Sequence, residues 1–145
     1  MCIRDRFGGK TAEAYLAGAT ELVTNGGFDT DTDWTKGTGW SISGGVASAG
    51  GTAGSLTQAI SFSETFLYEV TYTVTSITSG NIKVQFQGGS AVVGTLRASS
   101  GTYTELLTAG SGNNTVAFVS GGTTPDATID TVSYTHLTLP TKRIV

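Results

Sequence analysis

Three carboxylates crowd into five residues at Asp29, Asp31 and Asp33, and three glutamates, Glu64, Glu69 and Glu105, lie further along the chain. The aspartates fill the first three carboxylate positions of a helix-loop-helix calcium loop. Its sixth position, which needs glycine, is Trp34, and its twelfth, which needs glutamate, is Trp40, so that motif fails. A solvated turn is the expectation for Asp31 and Asp33, with water or a cation relieving their mutual repulsion. Gly9-Lys10-Thr11 ends as a phosphate-binding loop ends, but the earlier glycine of that loop would fall at Arg4. A hydrolase needs a nucleophile with a base, or two opposed carboxylates in a cleft. Cys2 and His136 are the single cysteine and histidine, both near the ends, which removes most triads from the body. On strands, the glutamates are expected to face solvent. The sequence therefore points away from an enzyme.

Side chains suited to holding a ligand are easier to find. Trp34 and Trp40 offer the largest flat apolar faces, and pyranose rings stack on such faces. Each also has a plain structural reading: Trp40 shares a strand face with Ile42, and Trp34 closes a loop against the first strand. Trp40 is expected in the core, and Trp34 is kept as a sugar-stacking candidate. Lys83, Gln85 and Gln87 alternate with apolar residues and would line one polar strand face. Gln58 lies in phase with Leu56, Ile60 and Phe62, so its amide is either buried and paired or exposed at a sheet edge. Asn113-Asn114-Thr115 matches a glycosylation acceptor, a pattern common by chance.

The elements that must position these groups are short strands. Gly, Ser and Thr make up 61 of 145 residues, against 13% charged residues, which excludes a coiled coil or charged bundle. Residues 11–19 could form one or two helical turns. After Glu21 the period is two: Tyr68, Val70, Tyr72 and Val74 oppose Glu69, Thr71, Thr73 and Thr75, while Ile82, Val84 and Phe86 oppose Lys83, Gln85 and Gln87. Shorter strands are predicted at 22–24, 40–43, 46–49, 56–62, 91–96, 103–108, 115–119 and 127–132. Glycine doublets between them supply tight turns. The fold class implied is all-β, an antiparallel jelly-roll β-sandwich of eight to ten strands. Ile129 and Val132 are three residues apart instead of two, which predicts a β-bulge that returns Val132 to the core and re-aims Asp130.

Charge narrows the partners. The net charge is −3 over the chain and more negative between Phe7 and Val132, so no row of phosphates could be neutralised and nucleic acid is excluded as a partner. No apolar run approaches the roughly 18 residues of a membrane span. Met1–Arg6 leads into Gly8-Gly9-Lys10 instead of an apolar stretch, so no signal peptide is read there. Met1–Arg6 and the segment from Val132 to Val145 resemble translated sequencing-adapter read-through of the kind found in environmental DNA. The domain boundaries expected are 1–6 as an artefactual or disordered start, 7–20 as a linker or short helix, 21–133 as the sandwich, and 134–145 as an artefactual or disordered tail. The alternative for the tail is a genuine edge strand from Ser133 to Leu139.

Glu21-Leu22-Val23-Thr24-Asn25-Gly26-Gly27-Phe28-Asp29, then Asp33-Trp34 and Gly39-Trp40-Ser41-Ile42-Ser43-Gly44-Gly45, resemble the opening of galactose-binding-like jelly-roll domains. The pattern is similar to carbohydrate-binding modules that begin Asn-x-Gly-Phe-Glu and end near Asp-Asp-Val, and to domains appended to phage tail-fibre and other virion proteins. Later matches are 56–60, 67–70, 101–104 and Ile129-Asp130-Thr131-Val132. The resemblance implies a non-catalytic glycan-binding module of a longer extracellular or phage surface protein, with Trp34, Lys83, Gln85 and Gln87 as binding residues. The alternative it implies is a structural or decorative domain of a virion or adhesin with no small ligand. It also implies a structural calcium ion where the first and last strands meet. Asp29 would stand for the family's Glu and Asp130 for its first terminal Asp, while Thr131 replaces the second.

Overall fold

A computed structural model describes residues 21–51, 54–62 and 66–136. Period-two alternation becomes ten antiparallel strands in two sheets. They are β1 (Thr35–Lys36), β2 (Trp40–Ser43), β3 (Val46–Gly50), β4 (Leu56–Ala59), β5 (Leu67–Ser79), β6 (Ile82–Gln87), β7 (Val92–Val93), β8 (Gly101–Thr108), β9 (Thr115–Ser120) and β10 (Asp126–His136). The front sheet runs β1-β4-β9-β6-β7 and the back sheet β2-β3-β10-β5-β8. The fold class read from the sequence is the one observed. Trp40–Ser43 forms as predicted, β7 is shorter than predicted, and β1 was not predicted. The residues proposed as a short helix, 11–19, lie outside those described.

The core is what the alternation buries between the sheets. Tyr68, Val70, Tyr72 and Val74 of β5 meet Ile82, Val84 and Phe86 of β6 and Val116 and Phe118 of β9, all at 2% exposure or less. Each such side chain contributes about 1.5–3 kcal/mol on burial. Aromatic edges knit the two sheets: Phe62 packs on Tyr68 at 5.2 Å and on Phe86 at 4.6 Å, and Tyr72 meets Phe118 at 5.2 Å. The β2–β3 hairpin turns through Gly44 and Gly45, whose φ angles of 62° and 81° suit a two-residue type I′ turn.

The bulge predicted near the end of the chain is present. Register against β5 slips between Asp130 and Ser133, and Thr131 takes a φ of 54°. One extra residue shifts the inward phase, so Ile129, Val132 and Tyr134 all reach the core.

The C-terminal boundary needs correction. β10 continues to His136, Tyr134 is fully buried, and Ser133–His136 pair with Glu69, Tyr68 and their neighbours on β5. On its other side the segment bridges Glu21, and the Leu22 amide donates to the Tyr134 carbonyl at 2.8 Å. The sandwich therefore extends to His136, as the strand alternative for that stretch expects, and residues 137–145 lie outside those described. An inward tyrosine at the right phase outweighs the unusual composition around it.

The register makes a sharp contrast between neighbours. Phe86→Ala should cost about 3–5 kcal/mol by opening a cavity, while Gln85→Ala on the outer face should stay within about 0.5 kcal/mol. Urea denaturation of the two variants measures this, and equal losses would mean that β6 is slipped by one residue.

Candidate functional site

The first question is where the sheets place the polar residues singled out by the sequence. The outward faces of β5 and β6 lie on opposite sides of the sandwich, because the two strands belong to different sheets. Glu69, Thr71, Thr73 and Thr75 therefore cannot share a surface with Lys83, Gln85 and Gln87. On the back sheet, Thr71 and Thr104 bond to each other through their hydroxyls at 3.0 Å, as do Thr73 and Thr102. These hydroxyls are partly spent on one another.

The front sheet's outer face has a different character. Strand pairing lays Val93, Gln85, Ala117, Thr57 and Thr35 in one row across all five strands. With strands about 4.8 Å apart, the row spans roughly 19 Å. Gln87, Thr115 and Ala59 form the next row, and Lys83 stands beside Val119 on the other side. Ala117 points outward between Val116 and Phe118 yet is fully buried, so the longer side chains around it overhang a shallow floor. At the Ala59 end this face meets an open hollow of about 450 Å³ lined by Ala59, Ile60, Ser61, Phe62, Asn113 and Asn114. Lys83, Gln85 and Gln87 are half-buried and successive on one face, about 6.8 Å apart. The structure thus brings these three sequence candidates together.

Trp34 is not among them, which corrects its reading as a sugar-stacking platform. It is 5% exposed, its indole N–H donates to the Asn25 carbonyl at 3.1 Å, and its ring packs on Phe28 at 5.4 Å. Closing the loop against the first segment buries more apolar area than display to solvent would. Trp40 is likewise core, with its N–H on the Gly54 carbonyl at 2.8 Å. Gln58 is buried and paired: it accepts from the Thr24 amide and donates to the carbonyls of Thr24 and Asp33. Asn113 is buried too. It donates to the carbonyls of Gly88 and Ser90 and accepts from the Gly110 amide, which makes it a loop tie instead of a presented glycosylation acceptor.

The aspartate cluster and the expected calcium ligands resolve differently. Lys36 binds Asp31, which supplies the cation that the crowded carboxylates need. Asn25 ties the loop through its amide, which donates to the carbonyls of Thr30 and Thr32. The first and last segments do meet: the Val132 amide donates to the Gly26 carbonyl at 2.8 Å, and any side chain at Gly26 would collide with the Val132 carbonyl. Asp29 is exposed, however, and Asp130 turns one oxygen to the Thr131 amide at 2.7 Å. Among the described residues no three His, Cys, Asp or Glu side chains gather as a metal site. Calcium takes six to eight oxygens, so backbone carbonyls and water would have to complete a shell begun by these two carboxylates.

One polar cluster escaped sequence reasoning. Glu105, expected to face solvent, is 8% exposed and bonded to Arg97 at 3.3 Å, the Tyr72 hydroxyl at 3.2 Å and the Thr95 amide at 2.8 Å. Arg97 also lies 4.3 Å over the Tyr103 ring. The signal was present, since Glu105 is in phase with Tyr103 and Leu107. With no second carboxylate opposed to it, the cluster has a structural use: it fastens the 94–100 segment over the open side between β6 and β8.

Comparison with solved structures fixes what kind of fold this is. The chain superposes on the N-terminal cellulose-binding domain of Cellulomonas fimi β-1,4-glucanase C with a TM-score of 0.56 at 19% identity, covering 83% of this chain and 100% of that one. A mannan-binding module from Man5C gives 0.54 at 17%, covering 72% and 92%. A family 29 carbohydrate-binding module gives 0.52 at 14%, covering 81% and 88%. No protein-family model and no curated protein sequence matches the chain. The chain has the β-sandwich fold of carbohydrate-binding modules. Among the described residues no helix is long and apolar enough to cross a membrane.

Burial pushes the hydroxyls of Tyr72 and Tyr134 well above the ordinary tyrosine value, and the Glu105 charge adds to the shift at Tyr72. A raised folded-state pKa contributes stability that is complete below the unfolded value near 10 and is lost as pH rises above it. Chemical denaturation from pH 8 to 11 should therefore show stability falling from about pH 10, and Tyr134→Phe should flatten the fall. Adding calcium to metal-free protein tests Asp29 and Asp130 as ligands: a rise in melting temperature that Asp130→Ala removes would assign the ion to them, and an unchanged midpoint would leave them ordinary turn carboxylates.

Proposed function

We propose that this domain is a non-catalytic glycan-binding module that holds its ligand on the front sheet's outer face, through Lys83, Gln85 and Gln87 with Thr57 and Thr115 beside them. The observation that carries the reading is the face itself: the amides of Gln85 and Gln87 on β6 lie in rows with the hydroxyls of Thr115, Thr57 and Thr35 on β9, β4 and β1, around the fully buried floor at Ala117. Amides and hydroxyls can both donate and accept, which suits a ligand made of hydroxyl groups. The shared fold with mannan- and cellulose-binding modules supports the same reading. No aromatic residue lies on the strand positions of this face, so stacking adds nothing there. A surface-exposed or secreted setting, a virion included, is where such a module would meet polysaccharide.

Magnitudes set the expected strength. Three neutral hydrogen bonds at about 1 kcal/mol each fall short of the roughly 4 kcal/mol of a millimolar complex. Binding by one domain to a single chain should therefore be weak, and best seen where many sites compete for a long polymer. Affinity gel electrophoresis against soluble neutral and acidic polysaccharides tests this. The expected outcome is retardation by at least one polymer, abolished in a Gln85→Ala/Gln87→Ala double variant whose melting is unchanged. Free migration through every gel would leave the decorative virion or adhesin reading instead.

A further inference from the structure

The described residues carry three cations against eight carboxylates. Lys36 is bonded to Asp31 and Arg97 to Glu105, whereas Lys83 has no carboxylate partner among the described residues. None of the strand residues beside it on the front face is acidic: its neighbours are Val119, Ala117 and Gln85. Glu69, Asp126 and Asp130 are on strands of the opposite sheet, Glu21 is bonded to Ser133 and to the Tyr134 amide, and Asp29, Asp31 and Asp33 share the loop that leads into β1, at the far edge of the front sheet from β6 and β7. Among the described residues, Lys83 is thus the one cation without a carboxylate partner, and it stands on the polar face.

We infer that the ligand of this face is a uronate-bearing polysaccharide, with a sugar carboxylate against the Lys83 ammonium and the neighbouring hydroxyls on Gln85 and Gln87. The inference rests on the glycan-binding reading above and deepens it. With no aromatic platform on the face, a neutral chain would gain only ordinary hydrogen bonds. A charge-assisted bond is roughly twice as strong as a neutral one, so a carboxylate is the group that raises this site above background.

The test uses the whole chain in affinity gels and calorimetry with polygalacturonate and alginate, with glucomannan as the neutral polymer and dextran sulfate as a charge control. Polyuronate should bind about fivefold more tightly than glucomannan. That advantage should shrink with added salt, because a half-exposed pair is screened over a Debye length of about 10 Å at 0.1 M. Lys83→Met should lose about fivefold toward polyuronate at unchanged melting temperature, and Lys83→Arg should keep most of it. Glucomannan bound as well as polyuronate, and insensitive to Lys83→Met, would overturn this inference and leave the glycan-binding reading standing. Dextran sulfate bound equally well would also overturn it, by reducing the effect to bulk charge. Failure of every polymer to bind would remove both readings together.

Discussion

The sandwich depends on a one-residue change of phase in its last strand. Strand β10 is the hub of the back sheet, paired with β3 along its first half and with β5 along its whole length. A strict alternation from Ile129 would send Thr131 and Ser133 inward and put Tyr134 in water. The bulge, closed by the Asp130 carboxylate on the Thr131 amide, holds a β-branched residue at positive φ. Positive φ at a β-branched residue is an uncommon, strained conformation. Burial of Val132 and of the Tyr134 ring against Tyr68 and Phe86 offsets that strain. The same kink brings Val132 to Gly26, so the first segment closes over the end of the core.

Given that closure, the two outer faces have different uses. The back face is rich in hydroxyls that bond to each other or to backbone, and Glu69 gives it negative charge. The front face keeps its amides unspent and carries a cation. Neither owes its character to the core, since outward positions on a half-buried strand are free of packing constraints. The fold shared with carbohydrate-binding modules says how such a face is held flat and rigid; the residues on it say what it could hold.

Much of the architecture was legible because it is written in local periods. The strands of β2, β5, β6 and β9 follow from alternation, and the bulge follows from one interval of three between Ile129 and Val132. What local pattern cannot convey is which sheet a strand joins. For that reason the alternation leaves open whether Glu69 and Lys83 share a surface, and only pairing separates them. Glu105 and Trp34 illustrate a second limit. A carboxylate in an apolar phase becomes a core residue only when a cation from a distant loop, here Arg97, reaches it. A tryptophan in a loop is core or platform according to whether Phe28 and Phe118 lie within reach. The polar trio Lys83, Gln85 and Gln87 was legible because all three sit on one strand, where spacing alone sets their common direction.

The antiparallel bridge between Glu21 and Thr135 has a mechanical consequence. Because the first segment runs against the last strand, Glu21 sits opposite Thr135 and the described chain begins and ends at one end of the sandwich. A tension applied across those two points would load the Leu22–Tyr134 hydrogen bond first, then its neighbours one after another, as a zip is opened. Strands loaded in shear share a force among many bonds; strands loaded this way do not. The seam between these two segments is thus the first contact that such a pull would load.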